Sequence, residues 1–286
     1  MNLNSVDQLV KEAAEIEALE AKEAGALGYM ARVLVQATLP HSKVKGNEFV
    51  RTNGRFTLSL MAPSKIGLPY GSIPRILIAW IGTEAVKTQS RNLTLGNNLS
   101  MFMSNLDLIP TGGRWGTITR LRDQMKRLFS CTISAFDETN KSTEDTERGF
   151  RLTDERYLWW EPTNPDQNVL FEPYVILSEK FYEQIIEFPV PIDLRVLKAL
   201  TRSPLALDIY CWLTYRYSYL KKTTVISWPL LEAQFGSDYT LTRSFKANFL
   251  DQLKKVSLLY PDANITVLDK GLELRPSSTH IAKIPG

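Results

Sequence analysis

Histidine and cysteine are almost missing from this chain, whose 286 residues hold two of each. His41 and His280 lie in separate loop-like stretches, so no pair stands at the spacing that would hold a metal ion on one strand or helix. That removes Cys/His zinc sites, and it removes nicking chemistry in which paired histidines hold an ion beside a nucleophilic tyrosine. Cys131 and Cys211 stand in apolar runs without CxxC spacing and read as reduced core residues. No run approaches the roughly 18 apolar residues of a membrane span. Acids break the apolar residues near the N-terminus from Asp7 onwards, so no signal peptide is expected and the cytoplasm is the expected compartment. The phosphate-cradling pattern GxxxxGK followed by Ser or Thr is also absent. LTLGNN and TGGRWG carry glycines but lack the lysine that would reach nucleotide phosphates. With no GxSxG elbow either, neither an enzyme nor a cofactor is expected.

What is present is the composition of a soluble globular protein, 44% hydrophobic and 23% charged, long enough for one large domain or two of ordinary size. The net charge of +3 is unevenly spread. Ser5 to Gly25 holds six acids (Asp7, Glu12, Glu15, Glu17, Glu20, Glu23) against two lysines, a local net of −4 that leaves about +7 on the remainder. A mild basic excess of this kind is shared by many nucleic-acid binders.

Taken in order, residues 5–24 read as a solvated, Ala- and Glu-rich helix with a narrow stripe of Leu9, Ala13, Ile16 and Leu19. Tyr29 to Leu39 is an apolar run in which Val33, Val35 and Leu39 alternate, as in a strand. Asn53-Gly54 between FVRT and RFTLSL is a strong hairpin signal. Ser72-Ile73-Pro74 supplies a cap-type residue and an early proline before a helix. A second helix is expected over Leu99 to Leu106. A third, Ile118 to Phe129, follows the loop TGGRWGT, with Ile118, Leu121, Met125, Leu128 and Phe129 on its apolar face. CTISAF and RLTDERYLWW then read as two strands around a polar loop, Asp137 to Gly149, expected to be mobile. In the second half, short helical pieces in Leu177–Ile186 and Asp193–Leu200 precede a capped, almost wholly buried helix, Ser203 to Tyr217. A strand at Val225–Trp228 and a short helix at Pro229–Phe235 come next.

The stretch that ends this series is YTLTRSFKANFLDQLKKV, Tyr239 to Val256. At 100° per residue Leu241, Phe245, Phe249, Leu253 and Val256 share one sector, while Thr240, Arg243, Ser244, Ala247, Asp251 and Lys254 lie opposite and Lys246 flanks them. Leu250 falls on the polar side. Two short apolar runs then surround Asp269-Lys270-Gly271, a hairpin signal. A basic-faced helix followed by a hairpin matches the reading helix and wing of a winged-helix DNA binder, and equally an ordinary surface helix beside an ordinary hairpin. Both halves nevertheless run helix, short helix, turn, basic-faced helix, hairpin. The economical fold is therefore α+β, with two tandem winged-helix domains (three-helix units each with a β-hairpin wing) behind an N-terminal helix and β-hairpin. The expected boundaries are 1–28 for the acidic helix, 29–175 and 176–276 for the two domains, and 277–286 for a tail. Of the six tryptophans, Trp115 alone, between Arg114 and Gly116, reads as a base-stacking candidate.

ARVLVQATLPHS (31–42), GLPYGSIPR (67–75), RNLTLGNNLSMFMSNLDLIPTGGRWGTITRLRDQMKRLF (91–129) and SPLALDIYCWLTYR (203–216) resemble the RepA family of plasmid replication initiators. The resemblance spans roughly residues 29 to 275. It implies a protein that binds direct repeats, the iterons, in double-stranded plasmid origin DNA and opens an adjacent AT-rich stretch. It further implies partners in the host initiator and replicative helicase, with no nuclease or ATPase of its own, and in many relatives a homodimer through the first domain. A winged-helix transcription regulator and a nicking or priming enzyme are the competing readings, the latter disfavoured by the missing histidine pair. With the helix Tyr239–Val256 in the major groove, Thr240, Arg243, Ser244 and Ala247 would face bases. Lys246, Lys254, Lys255 and Lys270 would face backbone, as would Arg114, Arg120, Lys126 and Arg127 of the first unit.

Overall fold

Three helices and a hairpin, twice over, are what these periodicities become in the computed structural model, which describes residues 3–17, 19–137, 147–158, 160, 162–236 and 241–281. Helix α1 (Leu3–Glu17) leads into β1 (Leu27–Ala31), the short helix α2 (Arg32–Gln36) and the hairpin β2 (Glu48–Asn53) and β3 (Phe56–Met61). The first unit follows as α3 (Ser72–Thr88), β4 (Asn92–Thr94), α4 (Leu99–Asn105), α5 (Thr117–Ser130), β5 (Thr132–Asp137), β6 (Glu147–Arg151), β7 (Thr153–Tyr157) and β8 (Tyr174–Leu177). Helix α6 (Glu179–Glu187), β9 (Pro189–Asp193) and α7 (Leu194–Leu200) connect it to the second: α8 (Pro204–Tyr219), β10 (Thr224–Ser227), α9 (Trp228–Phe235), α10 (Thr242–Leu259), β11 (Ile265–Leu268) and β12 (Gly271–Leu274).

The two units share one sheet topology. In each, the short strand before the second helix pairs with the last strand of the hairpin, giving the orders β4-β8-β7 and β10-β12-β11. This is the winged-helix arrangement in tandem. Local chemistry sets several element starts. Asn98 caps α4 by accepting the Met101 N–H at 2.8 Å, and Ser203 caps α8 by accepting the Ala206 N–H at 3.2 Å, with Pro204 next. At α3 the cap lies one residue earlier than the sequence indicates: Gly71, at φ +79°, stands before a helix that already includes Ser72. Helices α3 and α8 are apolar almost all round and buried almost throughout, as the unit cores require.

Several expectations are corrected. Residues 32–36 form helix α2, not a strand, because Val33, Leu34 and Val35 are all buried and there is no solvent face for alternation to serve. The Asn-Gly hairpin forms one residue on. Asn53 pairs with Phe56, so Gly54 (φ +60°) and Arg55 make the turn. CTISAF does not build the first unit's wing. As β5 it joins the N-terminal hairpin in a sheet of order β2-β3-β5-β6, where Leu58 faces Ala135 and Leu60 faces Ile133 in a buried layer. The wing comes from β7 and β8, and most of the polar loop (138–146) lies outside the described residues. Gly271 is needed for a different reason than a turn. A Cβ there would lie 1.9 Å from the Ile226 carbonyl oxygen, so glycine lets β12 press against β10. Leu9 and Ile16 of α1 are buried, with Ala13 packed against the core, whereas Leu19 stays 43% exposed. Helix α1 lies against α7 and α10, and Arg195 donates to the Glu15 and Leu19 carbonyls at its C-terminal end.

The two units meet at a buried ion cluster. Arg75 on α3 grips Asp208 on α8 with both ends of its guanidinium, Nε to Oδ1 at 2.7 Å and Nη2 to Oδ2 at 2.6 Å. Its remaining N–H groups go to the carbonyls of Leu39, Pro40 and Gly71. His41 Nε2 donates to Asp208 Oδ2 at 2.7 Å. Burial alone would raise the Asp208 carboxyl, but the Arg75 charge and the hydrogen bonds from His41 and Arg75 outweigh it and hold its pKa below the ordinary carboxylate range. Burial pushes His41 below its usual pKa against the pull of Asp208. It does the same to His280, whose Nδ1 lies 2.9 Å from the buried Tyr210 hydroxyl. A second bridge runs beside the first. Arg51 of β2 donates to the Gly236 carbonyl just past α9, and Thr38 donates to the Gln234 carbonyl at 3.3 Å.

Replacing Asp208 by Ala leaves Arg75 buried without its counter-charge and should cost about 3–5 kcal/mol in urea unfolding. For the histidines, the unfolded chain binds more protons wherever pH lies between the lowered folded pKa and the ordinary value. Stability should therefore fall as pH drops below about 6.5, and fall again below about 4 as Asp208 approaches its lowered pKa. Urea midpoints measured from about pH 7.5 to about pH 5 should show the first decline, and His41→Gln and His280→Gln should flatten it. A flat wild-type profile over that range would contradict the burial of neutral imidazoles.

Candidate nucleic-acid interface

Helix α10 turns a fully buried face, Phe245, Phe249, Leu253 and Val256, against its own unit. Leu241, assigned to that face by periodicity, precedes the helix as its N-cap residue and is 48% exposed, because extended backbone there breaks the 100° phase. Leu250, the apparent misfit, is partly buried and packs on the core. The exposed side of the N-terminal half presents Arg243, Ser244 and Ala247, and Thr240 lies outside the described residues. Lys246 does not stand free. Its Nζ sits 4.8 Å above the Trp228 ring and donates to the Asp269 carbonyl at 3.5 Å. Trp228 Nε1 donates to the Leu268 and Asp269 carbonyls at 3.3 and 3.0 Å. Together these contacts fasten the wing turn to the helix and leave Lys270 exposed at its tip. Lys254 is exposed, whereas Lys255 is half-buried, paired with Asp251 at 3.2 Å and donating to Gln252 Oε1 at 2.8 Å.

The first unit repeats the arrangement with different fastenings. Arg120 and Lys126 are exposed on α5. Arg127 is turned inward, holding Asp123 at 2.7 Å and the Leu68 carbonyl at 3.4 Å, with its guanidinium 5.5 Å from the Tyr70 ring. Gln124 Oε1 accepts the Tyr70 N–H at 2.9 Å, so α5 clamps the segment GLPYG from two positions. Gly67 (φ +78°) is part of that clamp, since a Cβ would lie 2.6 Å from Arg127 Nη1. Loop 111–117 is tied to itself. Thr111 and Thr117 exchange backbone N–H to hydroxyl bonds at 2.9 Å each. This knot holds up Trp115, 79% exposed, with the Arg114 guanidinium 5.0 Å over its ring. Trp80, Trp160, Trp212 and Trp228 are core residues; Trp159 lies outside the described residues.

Sequence reasoning passed over Arg122, exposed on α5, and Arg156 on β7. The (i, i+4) spacing of Arg122 and Lys126 on one helix carried the signal for the first. It also passed over Arg75 and Asp208, whose pairing no local pattern discloses. Among the described residues no group of three or more His, Cys, Asp or Glu is placed to hold a metal ion, and no helix is long and apolar enough to cross a membrane. Both cysteines are buried and unpaired, the Cys131 thiol pushed up to about 12 by burial and Cys211 pushed up as well. What the surface offers instead is two exposed helix faces with cationic side chains, each beside a wing.

Crystal structures of RctB show the same fold across both units. Domains 2–3 of RctB superpose with a TM-score of 0.54 at 13% identity, over 85% of this chain and 96% of that one. The selenomethionine derivative of domains 2 and 3 superposes with a TM-score of 0.54 at 11% identity, over 83% and 94%. No curated protein sequence matches the chain. The family described as plasmid-encoded RepA protein matches residues 68–229, from the clamp at GLPYG through both first helices to the start of α9, more than half of the 286 residues. The chain therefore belongs to the RepA family of plasmid replication initiators.

Proposed function

We propose that this initiator binds repeated sites at a plasmid origin through both winged-helix units, opens the adjacent AT-rich DNA without hydrolysing nucleotide, and hands the opened strand to the host initiator and replicative helicase. The observation that supports the reading is the pairing of two exposed basic helices, each beside a wing, on one body joined by a buried ion pair. In the second unit, Arg243 reads guanine O6 and N7, with Thr240, Ser244 and Ala247 against neighbouring base edges. Lys254 and Lys270 meet phosphates, and Lys246 and Lys255 set the wing and the helix surface beside them. In the first unit, Arg114, Arg120 and Lys126 meet backbone, while Arg127 supports the helix from behind. The first domain also forms a homodimer in this reading, and the boundaries 1–28, 29–175, 176–276 and 277–286 separate the acidic helix, the two units and the tail.

Arg243→Ala should weaken binding to the specific site by ~1–3 kcal/mol and relax preference at one base pair, read by footprinting and competition with single-base variants. Lys254→Ala should instead weaken binding to all sequences alike and lower the salt slope by ~1. Equal losses on every sequence for Arg243→Ala would remove its base-reading role. The larger claim is tested on supercoiled plasmid with permanganate. Unpaired thymines should appear beside the repeats without ATP, and a nick in the DNA would mean an enzyme instead.

A further inference from the structure

A groove of about 660 Å³ lies between α5 and the β7 edge of the first unit, and its walls carry Arg122, Lys126, Arg156, Asp123 and Trp160. Among the described residues, three cations thus converge with one carboxylate, and that carboxylate is already engaged by Arg127 at 2.7 Å. Arg122 and Lys126 are exposed, one turn apart on α5, and no ion pair to either occurs among the described residues. Arg156 is half-buried, and its Nη2 donates at 3.0 Å to the neutral Ser130 hydroxyl, with no ion pair to it among the described residues. Trp160 is 7% exposed and stacked on Phe102 at 5.3 Å, yet its indole N–H, which can only donate, has no acceptor among the described residues. Like charges brought together on a half-buried wall repel, and a buried donor without an acceptor costs free energy. A single tetrahedral oxyanion relieves both, because its oxygens accept from several donors at once.

We propose that this groove holds one phosphodiester of duplex DNA, with Arg122 and Arg156 gripping the same phosphate from helix and wing and Lys126 beside them. The assignment to DNA rests on the function proposed above. Matching the buried positions Leu121 and Phe245 sets Arg122 where Lys246 stands in the second unit, the residue that there joins helix to wing. The groove is therefore the first unit's helix–wing junction, opened to take a ligand where the second unit closes it with a lysine and a tryptophan ring.

The test is a salt titration of the full-length protein on a random-sequence duplex of about 30 base pairs. Arg122→Gln and Arg156→Gln should each lower the slope of log K against log salt by about 0.9, the value for one phosphate. The double variant should lose no more than either single one. Arg122 is exposed, so its variant keeps the fold, and Arg156→Lys should retain most of the wild-type slope. Unchanged slopes in both single variants, beside a normal wild-type slope, would overturn the groove and leave DNA binding intact. An additive loss in the double variant would mean two separate phosphates and would also overturn it. A wild-type protein with no salt-dependent binding would instead sink the DNA-binding reading itself. In a second arm, inorganic phosphate is titrated calorimetrically at constant ionic strength, and no saturable heat is expected. Saturable heat that Arg156→Gln abolishes, with DNA slopes unaltered, would assign the groove to a free anion.

Discussion

The first helices of the two units are joined by one buried guanidinium. Arg75 has five N–H donors, and each finds an acceptor: two on Asp208 and one each on the carbonyls of Leu39, Pro40 and Gly71. A buried ion pair is tolerable when its geometry is bidentate and nothing is left unsatisfied, and this one meets both conditions. Lysine, with three donors on a flexible stem, could not replace it. The acceptors come from three distant stretches, so the pair joins the strap at 39–41, the first helix of one winged unit and the first helix of the other. Asp208 gains its third partner from His41, which burial keeps neutral and able to donate.

That junction has a mechanical consequence. Two winged-helix units on a loose tether could present their reading faces in any relation, and ordering them on DNA would cost entropy at each binding event. Here the relation is already set by charge, and the neighbouring bridge from β2 to the end of α9 reinforces it. Helix α10, the helix proposed to read bases, is the next element in the chain after α9. The acidic helix α1 adds a further layer, packing on α10 and α7 through Leu9 and Ile16.

Within each unit the helix and the wing are braced by different means. In the second, Lys246 and Trp228 close the junction, so the wing turn is held by a cation over a ring and by carbonyls that the indole reaches. In the first, the junction stays open and cationic, while bracing moves to the back of α5, where Arg127 and Gln124 clamp residues 67–71. Similar topology thus carries two different surfaces.

Sequence by itself determined the main helices of both units, most of their buried faces and the tandem order, because a 3.6-residue period and a capping side chain are local facts. Ile118, Leu121, Met125, Leu128 and Phe129, and Phe245, Phe249, Leu253 and Val256, are all buried as their spacing requires. The same patterns placed Arg243, Lys254, Arg120 and Lys126 on exposed faces. Tertiary structure alone decided the partners. A period of two marks CTISAF as a strand but not that it joins β3 in place of forming a wing, since the pairing depends on which apolar layer it meets. It also decided which cations are displayed: Arg120 and Arg127 look alike in sequence, yet one faces solvent and the other is tied to Asp123 and Leu68. The Arg75–Asp208 junction was beyond any local reading for the same reason. A residue's helical phase says which way it points, and only the assembled fold says what is there to meet it.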